Sequence, residues 1–298
     1  MKRCLLAIIV LFAIFCCASA RAHEIAVVKS VNIKPYDEAQ KGFKSVCRAN
    51  IREFVVSKLN GSEVLKEIHR IKPDLILAIG TDALSRIKKI KDIPIIYVMV
   101  SDPRSILSGE KNITGISMNI PAKKQLSALL KVSPDIKGIG IVYDPGKTIH
   151  LFKEAQSSAT ALEIALVQKA VHSPKEVPSA INDMKGKIDA FWLLPDTTVV
   201  TPESIEYLLL FSFENGLATL VFSDKYVEIG SLMALNIDAM DIGRQAGEMA
   251  NRILDGANVS NIPMSSPRKA VLSLNLKTAK RLGLSVDDEI IKESKITY

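Results

Sequence analysis

Aromatic residues make up only 5% of this 298-residue chain, with a single tryptophan. Stacking platforms of the kind that hold single-stranded nucleic acid are therefore scarce. Cysteine is scarcer: of the four, Cys4, Cys16 and Cys17 fall within the first 22 residues, and Cys47 stands alone in the rest. One thiol makes no internal disulfide and lacks the paired spacing of a metal site; Cys47 reads as a small buried residue on the first helix. Basic charge is not concentrated either. The net +7 is spread along the chain, with Lys88-Lys89-Ile90-Lys91 closing one helix and Lys123-Lys124 opening another, as solvated faces do. Nucleic acid is not an expected partner.

The signatures of catalysis are missing as well. A dinucleotide fingerprint needs three spaced glycines between the first strand and its helix, but residues 30–42 hold only Gly42. Gly138-Ile-Gly140 opens a strand instead of following one. Gly146-Lys147-Thr148 resembles the end of a phosphate loop, yet Ile141 occupies the place of the required first glycine. No Gly-x-Ser-x-Gly elbow occurs. His23, His69, His150 and His172 are scattered, none with a His or Cys partner three or four residues on, so no metal is expected. Asp82 and Asp102 could form an acid–base pair, but nothing in the sequence tunes either. Neither an enzyme nor a cofactor is expected.

What the chain does have begins at its N-terminus. Lys2 and Arg3 precede an apolar run to Cys17, then Ala18-Ser19-Ala20 and Arg21-Ala22. A basic start, a short apolar stretch and small residues before a cut read as a secretory signal. The run is shorter than the roughly 20 residues a bilayer span needs. Cleavage is expected after Ala20 or Ala22, releasing a protein into the periplasm. A lipid anchor on Cys16 or Cys17 is not favoured, because Phe15 or Cys16 stands where a small residue is wanted. Losing Lys2, Arg3 and Arg21 lowers the net charge to +4.

Beyond residue 22, strand and helix patterns alternate without low-complexity interruption, and 48% hydrophobic content is ample for a core. Strands are predicted at 25–29, 51–56, 75–79, 94–100 and 113–118, with helices at 37–48, 62–70, 83–90 and 122–131. A second set follows: strands at 138–143, 164–171, 190–194, 218–222 and 232–237, helices at 149–162, 174–184, 202–215 and 240–254. Continuous apolar runs such as Leu75-Ile-Leu-Ala-Ile79 mark strands covered on both faces. Alternation with helices implies right-handed crossovers and parallel sheets. The fold class is therefore α/β, with two doubly wound parallel-sheet lobes.

In such sheets ligands sit beyond the carboxyl ends of the strands, where helix N-termini point free N–H groups. In the first lobe those places hold Ser30 and Tyr36, then Gly80-Thr81-Asp82, then Ser101-Asp102-Pro103 and Ser117. In the second they hold Asp144-Pro-Gly-Lys-Thr148, Pro195-Asp-Thr-Thr198 and Ser223-Asp224-Lys225. Helix capping accounts for some of these residues; their recurrence in both lobes points to a ligand-binding cleft.

Seven segments, in order, carry a resemblance over nearly the whole chain after residue 22. They are Lys72-Pro-Asp-Leu-Ile-Leu-Ala-Ile-Gly-Thr81, Asp92-Ile-Pro-Ile-Ile-Tyr-Val98, Asn112-Ile-Thr-Gly-Ile-Ser117 and Ile139-Gly-Ile-Val-Tyr-Asp-Pro145. Leu194-Pro-Asp-Thr-Thr-Val199, Gly243-Arg-Gln-Ala-Gly-Glu-Met-Ala250 and Leu274-Asn-Leu-Lys-Thr-Ala-Lys-Arg-Leu-Gly283 complete the set. The chain resembles the ABC-transporter substrate-binding protein family with the type I periplasmic-binding fold, whose members include tryptophan- and tyrosine-binding proteins. The resemblance implies a monomeric binding protein that carries a small solute to an ABC transporter permease. A sensory module handing its ligand to a membrane receptor would have the same fold.

By the same resemblance Thr81, Asp82 and Ala83 would meet an anionic group, and Ser101, Asp102 and Ser117 would line the first lobe. Asp144, Asp196, Thr197, Ser223 and Asp224 would answer from the second, with Asp238 near a crossover. Asp196 or Asp224 would pair with a ligand ammonium. Lobe one is expected at 23–134 and 236–266, and lobe two at 135–235 and 267–298, joined by a three-segment hinge. One departure stands out: where the family often has Thr followed by an uncharged residue, this chain has Thr81-Asp82. A carboxylate there repels that of an amino acid and favours a cationic or neutral ligand.

Overall fold

The computed structural model describes residues 23–58, 61–294 and 296–297. The expected signal segment, with its apolar run and cleavage site, lies outside them. The first stretch runs β1 (Glu24–Lys29), α1 (Lys34–Val46), β2 (Asn50–Val55), α2 (Gly61–Ile71), β3 (Leu75–Ile79), α3 (Thr81–Ile87), β4 (Ile95–Val100) and β5 (Ile113–Ser117). Then come α4 (Ala122–Val132), β6 (Gly138–Tyr143), α5 (Pro145–Ala161), β7 (Ala165–Ala170), α6 (Val177–Asn182) and β8 (Ala190–Trp192). The chain continues through α7 (Pro202–Glu214), β9 (Ala218–Val221), α8 (Asp224–Glu228), β10 (Met233–Ile237) and α9 (Ala239–Leu254). It closes with β11 (Ala270–Leu274), α10 (Leu276–Arg281), α11 (Asp288–Glu293) and β12 (Ile296–Thr297).

Two compact units result: Met1–Ser117 with Ala239–Ser265, and Met118–Asp238 with Ser266–Tyr298. The chain thus passes between units three times, but the first passage comes earlier than the expected residue 134. Helix α4 belongs to the second unit because its apolar stripe, Leu126, Leu129 and Val132, packs with Ile139, Phe152 and Trp192 of that unit's core. A helical stripe read from sequence does not say which sheet it will cover.

The sheet of the first unit has the order β2-β1-β3-β4-β5, and every adjacent pair is parallel. All five residues of β3 are fully buried, as the unbroken apolar run requires. On one face Val64, Ile68, Leu84 and Ile87 pack on Ile76, Ala78, Ile95 and Tyr97. Elsewhere in the unit α1 and α9 pack so closely that their backbones touch. A Cβ on Gly42 would lie 1.9 Å from the Met240 carbonyl oxygen; only glycine fits.

The second sheet has the order β12-β11-β10-β9-β8-β6-β7. Its strands β7, β6, β8, β9 and β10 are mutually parallel, but β10 and β11 are antiparallel. The doubly wound, parallel-rich sheet is as expected; β11, which was not predicted, comes back into this unit after a passage through the other, so no βαβ crossover constrains its direction. Both faces are covered, one by Leu126, Phe152 and Ala279, the other by Ile181, Leu208, Phe211 and Val227. The helix predicted over 174–184 is split into a 3₁₀ turn, Pro174–Glu176, and α6.

Candidate functional site

The parallel strands of the two sheets are wound alike. Reading β6 to β10 as first to fifth, both sheets run second, first, third, fourth, fifth. In that order the connections diverge to opposite faces between the first and third strands, leaving a crevice at their carboxyl ends where ligands bind. The switch points are β1/β3 in one unit and β6/β8 in the other.

At the β1/β3 switch point, Ser30 is buried directly after β1, and its hydroxyl accepts the Ala83 N–H at 2.9 Å. Gly80 precedes α3 with φ of +97°, and a Cβ there would stand 2.5 Å from Ser30 Oγ and 2.6 Å from the Tyr36 hydroxyl. Glycine is thus required both by the left-handed backbone and by the two hydroxyls crowding it. The half-buried Tyr36 lies in the first turn of α1, where Pro35 starts the helix earlier than predicted. Burial and then the Asp82 carboxylate push its phenol pKa above the ordinary value. Thr81 and Asp82 are exposed at the opening of α3. Ser30 and Tyr36 thus lie against the turn that carries Gly80, Thr81 and Asp82. Ala83 differs: its side chain is buried and its N–H is already bonded to Ser30, so it offers an anion nothing.

Further along the same edge, Ser101 is exposed and Asp102 half-buried. One Asp102 oxygen accepts the N–H groups of Arg104 at 3.1 Å and Ser105 at 3.4 Å, capping the 3₁₀ turn Pro103–Ser105. The end of β4 is irregular: pairing with β5 shifts register between Tyr97 and Val100, and Met99 has φ of +58°. A non-glycine residue in that region stores backbone strain, as functional edges commonly do. Ser117 ends β5, its N–H donating to the Ser265 carbonyl at 3.0 Å.

Two residues of this unit were not foreseen. Lys29, the last residue of β1, has a side chain only 6% exposed, 2.9 Å from Asp37 and 3.7 Å from Glu53. Glu53 also accepts from Lys44 and Gln40. Burial works against ionising Glu53, but those hydrogen bonds outweigh it and hold its pKa below the usual range. Tyr97 is fully buried in β4, its hydroxyl without a hydrogen-bond partner; burial pushes its pKa up to about 12, against the pull of Arg104. Both read from sequence as ordinary strand residues.

At the β6/β8 switch point two buried carboxylates are stitched together. One Asp196 oxygen accepts the Asp144 N–H at 2.8 Å and the Thr148 hydroxyl; the other accepts the N–H groups of Thr198 at 2.9 Å and Val199 at 3.3 Å. Asp144 accepts the Thr198 hydroxyl at 2.7 Å and the Gly146 N–H at 2.8 Å. The Thr198 hydroxyl, the Gly146 N–H and nearby His172 and Lys147 hold the Asp144 pKa below the ordinary value, burial opposing them. Asp196 is 0% exposed and all four of its bonds are internal. The expected partnership of Asp196 with a ligand ammonium is thus corrected: a carboxylate so enclosed organises the loop. Thr148 and Thr198, missed as site residues, both stand in the strand-end segments that carry Asp144 and Asp196, and their hydroxyls were the available signal.

Thr197 is exposed between these groups, while Ser223 and Asp224 are half-buried after β9. Asp224 accepts the Lys225 N–H at 3.1 Å, and the Lys225 ammonium sits 4.6 Å over the Tyr226 ring. Asp238 is half-buried at the end of β10, the last residue before the second passage between units. Among the described residues no group of three or more His, Cys, Asp or Glu could hold a metal ion, and no helix is long and apolar enough to cross a membrane.

Comparison with known proteins yields one family model, described as ABC transporter substrate binding protein, matching residues 24–297. A tyrosine-binding protein of Clostridioides difficile is 28% identical over 222 residues, which cover 72% of this chain and 64% of that protein. The alignment thus spans less than two thirds of that relative. A ligand-free, open substrate-binding protein with adhesive properties, from Clostridium difficile, superposes with a TM-score of 0.76 at 24% identity, covering 93% of this chain and 99% of the other. A Streptococcus pneumonia domain in complex with L-Trp gives 0.60 at 23% identity, over 93% of this chain and 100% of that one.

Proposed function

Because the chain belongs to the ABC transporter substrate-binding protein family, whose role is binding without catalysis, we propose that it captures a small solute at the carboxyl ends of its parallel strands and delivers it to an ABC transporter permease. The solute is an amino acid or a related compound, a reading supported by relatives named for tyrosine and solved with L-Trp. The protein acts as a monomer in the periplasm, exported by the segment at 1–22.

One observation carries this reading beyond family membership. Both sheets repeat the same winding order, and each switch point gathers polar groups: Ser30, Tyr36, Thr81 and Asp82 in one unit, Asp144, Thr197 and Thr198 in the other. Capping and internal bonds occupy some of these groups, but Thr81, Asp82 and Thr197 are exposed, where a solute can reach them. A ligand would stabilise whichever arrangement of the units it contacts best, by no more than its difference in affinity between arrangements.

The test is direct. Small molecules released from the purified protein on denaturation are identified by mass spectrometry, and each is titrated back by calorimetry. Binding of at least one solute with a dissociation constant below about 100 μM, or roughly −5.5 kcal/mol, is expected. A protein that releases nothing and binds no solute at millimolar concentration would defeat the proposal.

A further inference from the structure

Lys29 closes β1 one residue before Ser30, yet its side chain is only 6% exposed. Its ammonium meets Asp37 at 2.9 Å and Glu53 at 3.7 Å. Glu53 lies in β2 opposite Val27 and so shares a face of the sheet with Lys29. Gln40 and Lys44 donate to the same Glu53 carboxylate. Asp37, Gln40 and Lys44 recur at helical spacing, so one stripe of α1 is tied to the ends of β1 and β2. The backbone packing against α9 begins further along α1, at Ala39, Gly42 and Phe43. For the first turn, Ile33 at the cap supplies no side-chain hydrogen bond, and Asp37 is the residue that ties it to β1. Tyr36, beside Asp37, places its hydroxyl over Gly80, where the hydroxyl of Ser30, beside Lys29, also lies.

A buried ion pair is weak evidence of stabilisation, because desolvating the charges offsets their attraction. What this one supplies is geometry, since an ammonium between two carboxylates fixes where each stands. From these contacts, and resting on the reading that this strand edge binds a solute, we infer that Lys29 is a positioning residue for the solute site: through Asp37 it holds the first turn of α1 so that the Tyr36 hydroxyl stays seated beside Ser30 at the β1/β3 switch point. Lys29 itself, enclosed by its acids, does not touch the solute. Without its ammonium, Lys44 still holds Glu53, but Asp37 loses its tie to β1 and the first turn is released.

The experiment is a double-substitution cycle on the full chain without its first 22 residues: wild type, Lys29→Met, Tyr36→Phe and the two together. Asp37→Asn, which cuts the same contact at a half-exposed carboxylate, replaces Lys29→Met if the buried substitution does not fold. Calorimetry measures binding of the solute released from the wild type, and of L-tyrosine and L-tryptophan. Lys29→Met is expected to weaken the solute that binds by about tenfold, but by less than about twofold once Tyr36 is phenylalanine. Equal losses in both backgrounds, or an unchanged affinity, overturn the inference and leave the solute-receptor reading standing. A second readout needs no solute. In protein labelled with fluorotyrosine, the Tyr36 signal is assigned by its loss in Tyr36→Phe, and its fluorine NMR shift between light and heavy water reports how open the ring is to solvent. That shift is expected to grow in Lys29→Met and in Asp37→Asn, while the signal of Tyr97, buried in the same unit, stays put. A Tyr36 signal that does not change, or one that changes together with Tyr97, overturns the inference. If nothing is released and no probe binds, the solute-receptor reading falls, and the fluorine signal still decides whether Lys29 seats Tyr36.

Discussion

A Cβ on Gly243 would stand 1.9 Å from the carbonyl oxygen of Ala39, so α9 crosses α1 with main chain against main chain. The nearest atoms are backbone, which cannot swing aside as a side-chain tip can. Gly243→Ala should therefore destabilise the protein by about 3 kcal/mol or more, at the upper end of overpacking effects. Gly247, whose Cβ would find its neighbours at 3.0 Å, should tolerate alanine with a loss below about 1 kcal/mol, helped by alanine's helix propensity. Urea unfolding of the two variants separates them.

Asp196 and Asp82 illustrate two kinds of strand-end acid. Removing Asp196 leaves the Asp144 N–H, the Thr148 hydroxyl and two further N–H groups without their acceptor in a buried loop. Asp196→Ala should cost about 3–5 kcal/mol without any ligand present. Asp82→Asn, at an exposed position, should stay within about 0.5 kcal/mol of wild type. Thermal melts of the ligand-free proteins measure both.

Asp144 makes stability depend on acid. Its folded pKa is lowered by the Thr198 hydroxyl and the Gly146 N–H, so the folded state favours the ionised form more than the unfolded chain does. The contribution is complete above the unfolded value, about 3.9 for aspartate, and disappears as pH falls through the folded value. Between pH 6 and pH 3 the wild type should lose stability more steeply than Asp144→Asn. Urea midpoints at half-unit intervals record the difference; parallel curves for the two proteins would contradict it.

Cys47 should be slow to react. It is 2% exposed and burial pushes its thiol pKa up to about 11, so little thiolate exists at pH 8 and less is accessible. Alkylation by iodoacetamide is expected to be at least about tenfold slower in the native protein than in urea. Mass spectrometry of timed samples gives both rates.

The strands most legible in the sequence were those the fold buries on both faces. Leu75–Ile79 and Gly138–Tyr143 were delimited by their unbroken apolar runs, because such strands must be apolar throughout. Strand β11 was missed for the opposite reason: three of its five residues are only half-buried, and its antiparallel pairing follows a passage that no local pattern records. Among site residues, position after a strand was readable, whereas availability was not. Asp196 and Asp82 look alike in sequence. Only the folded loop shows that one carboxylate is surrounded by its own chain's donors and the other is not. Lys29 was hidden because a lysine closing a strand reads as solvated until its acids, Asp37 and Glu53, are brought in from a helix and the neighbouring strand.

The close crossing of α1 and α9 also sets an order of assembly. The apolar face of α1, with Ala39 and Phe43 fully buried in the finished unit, stays bare until residues 239–254 have been synthesised. The unit made first is therefore completed late, after most of the other unit's sequence already exists. A newly made chain halted short of Ala239 would lack the helix against which α1 packs its backbone.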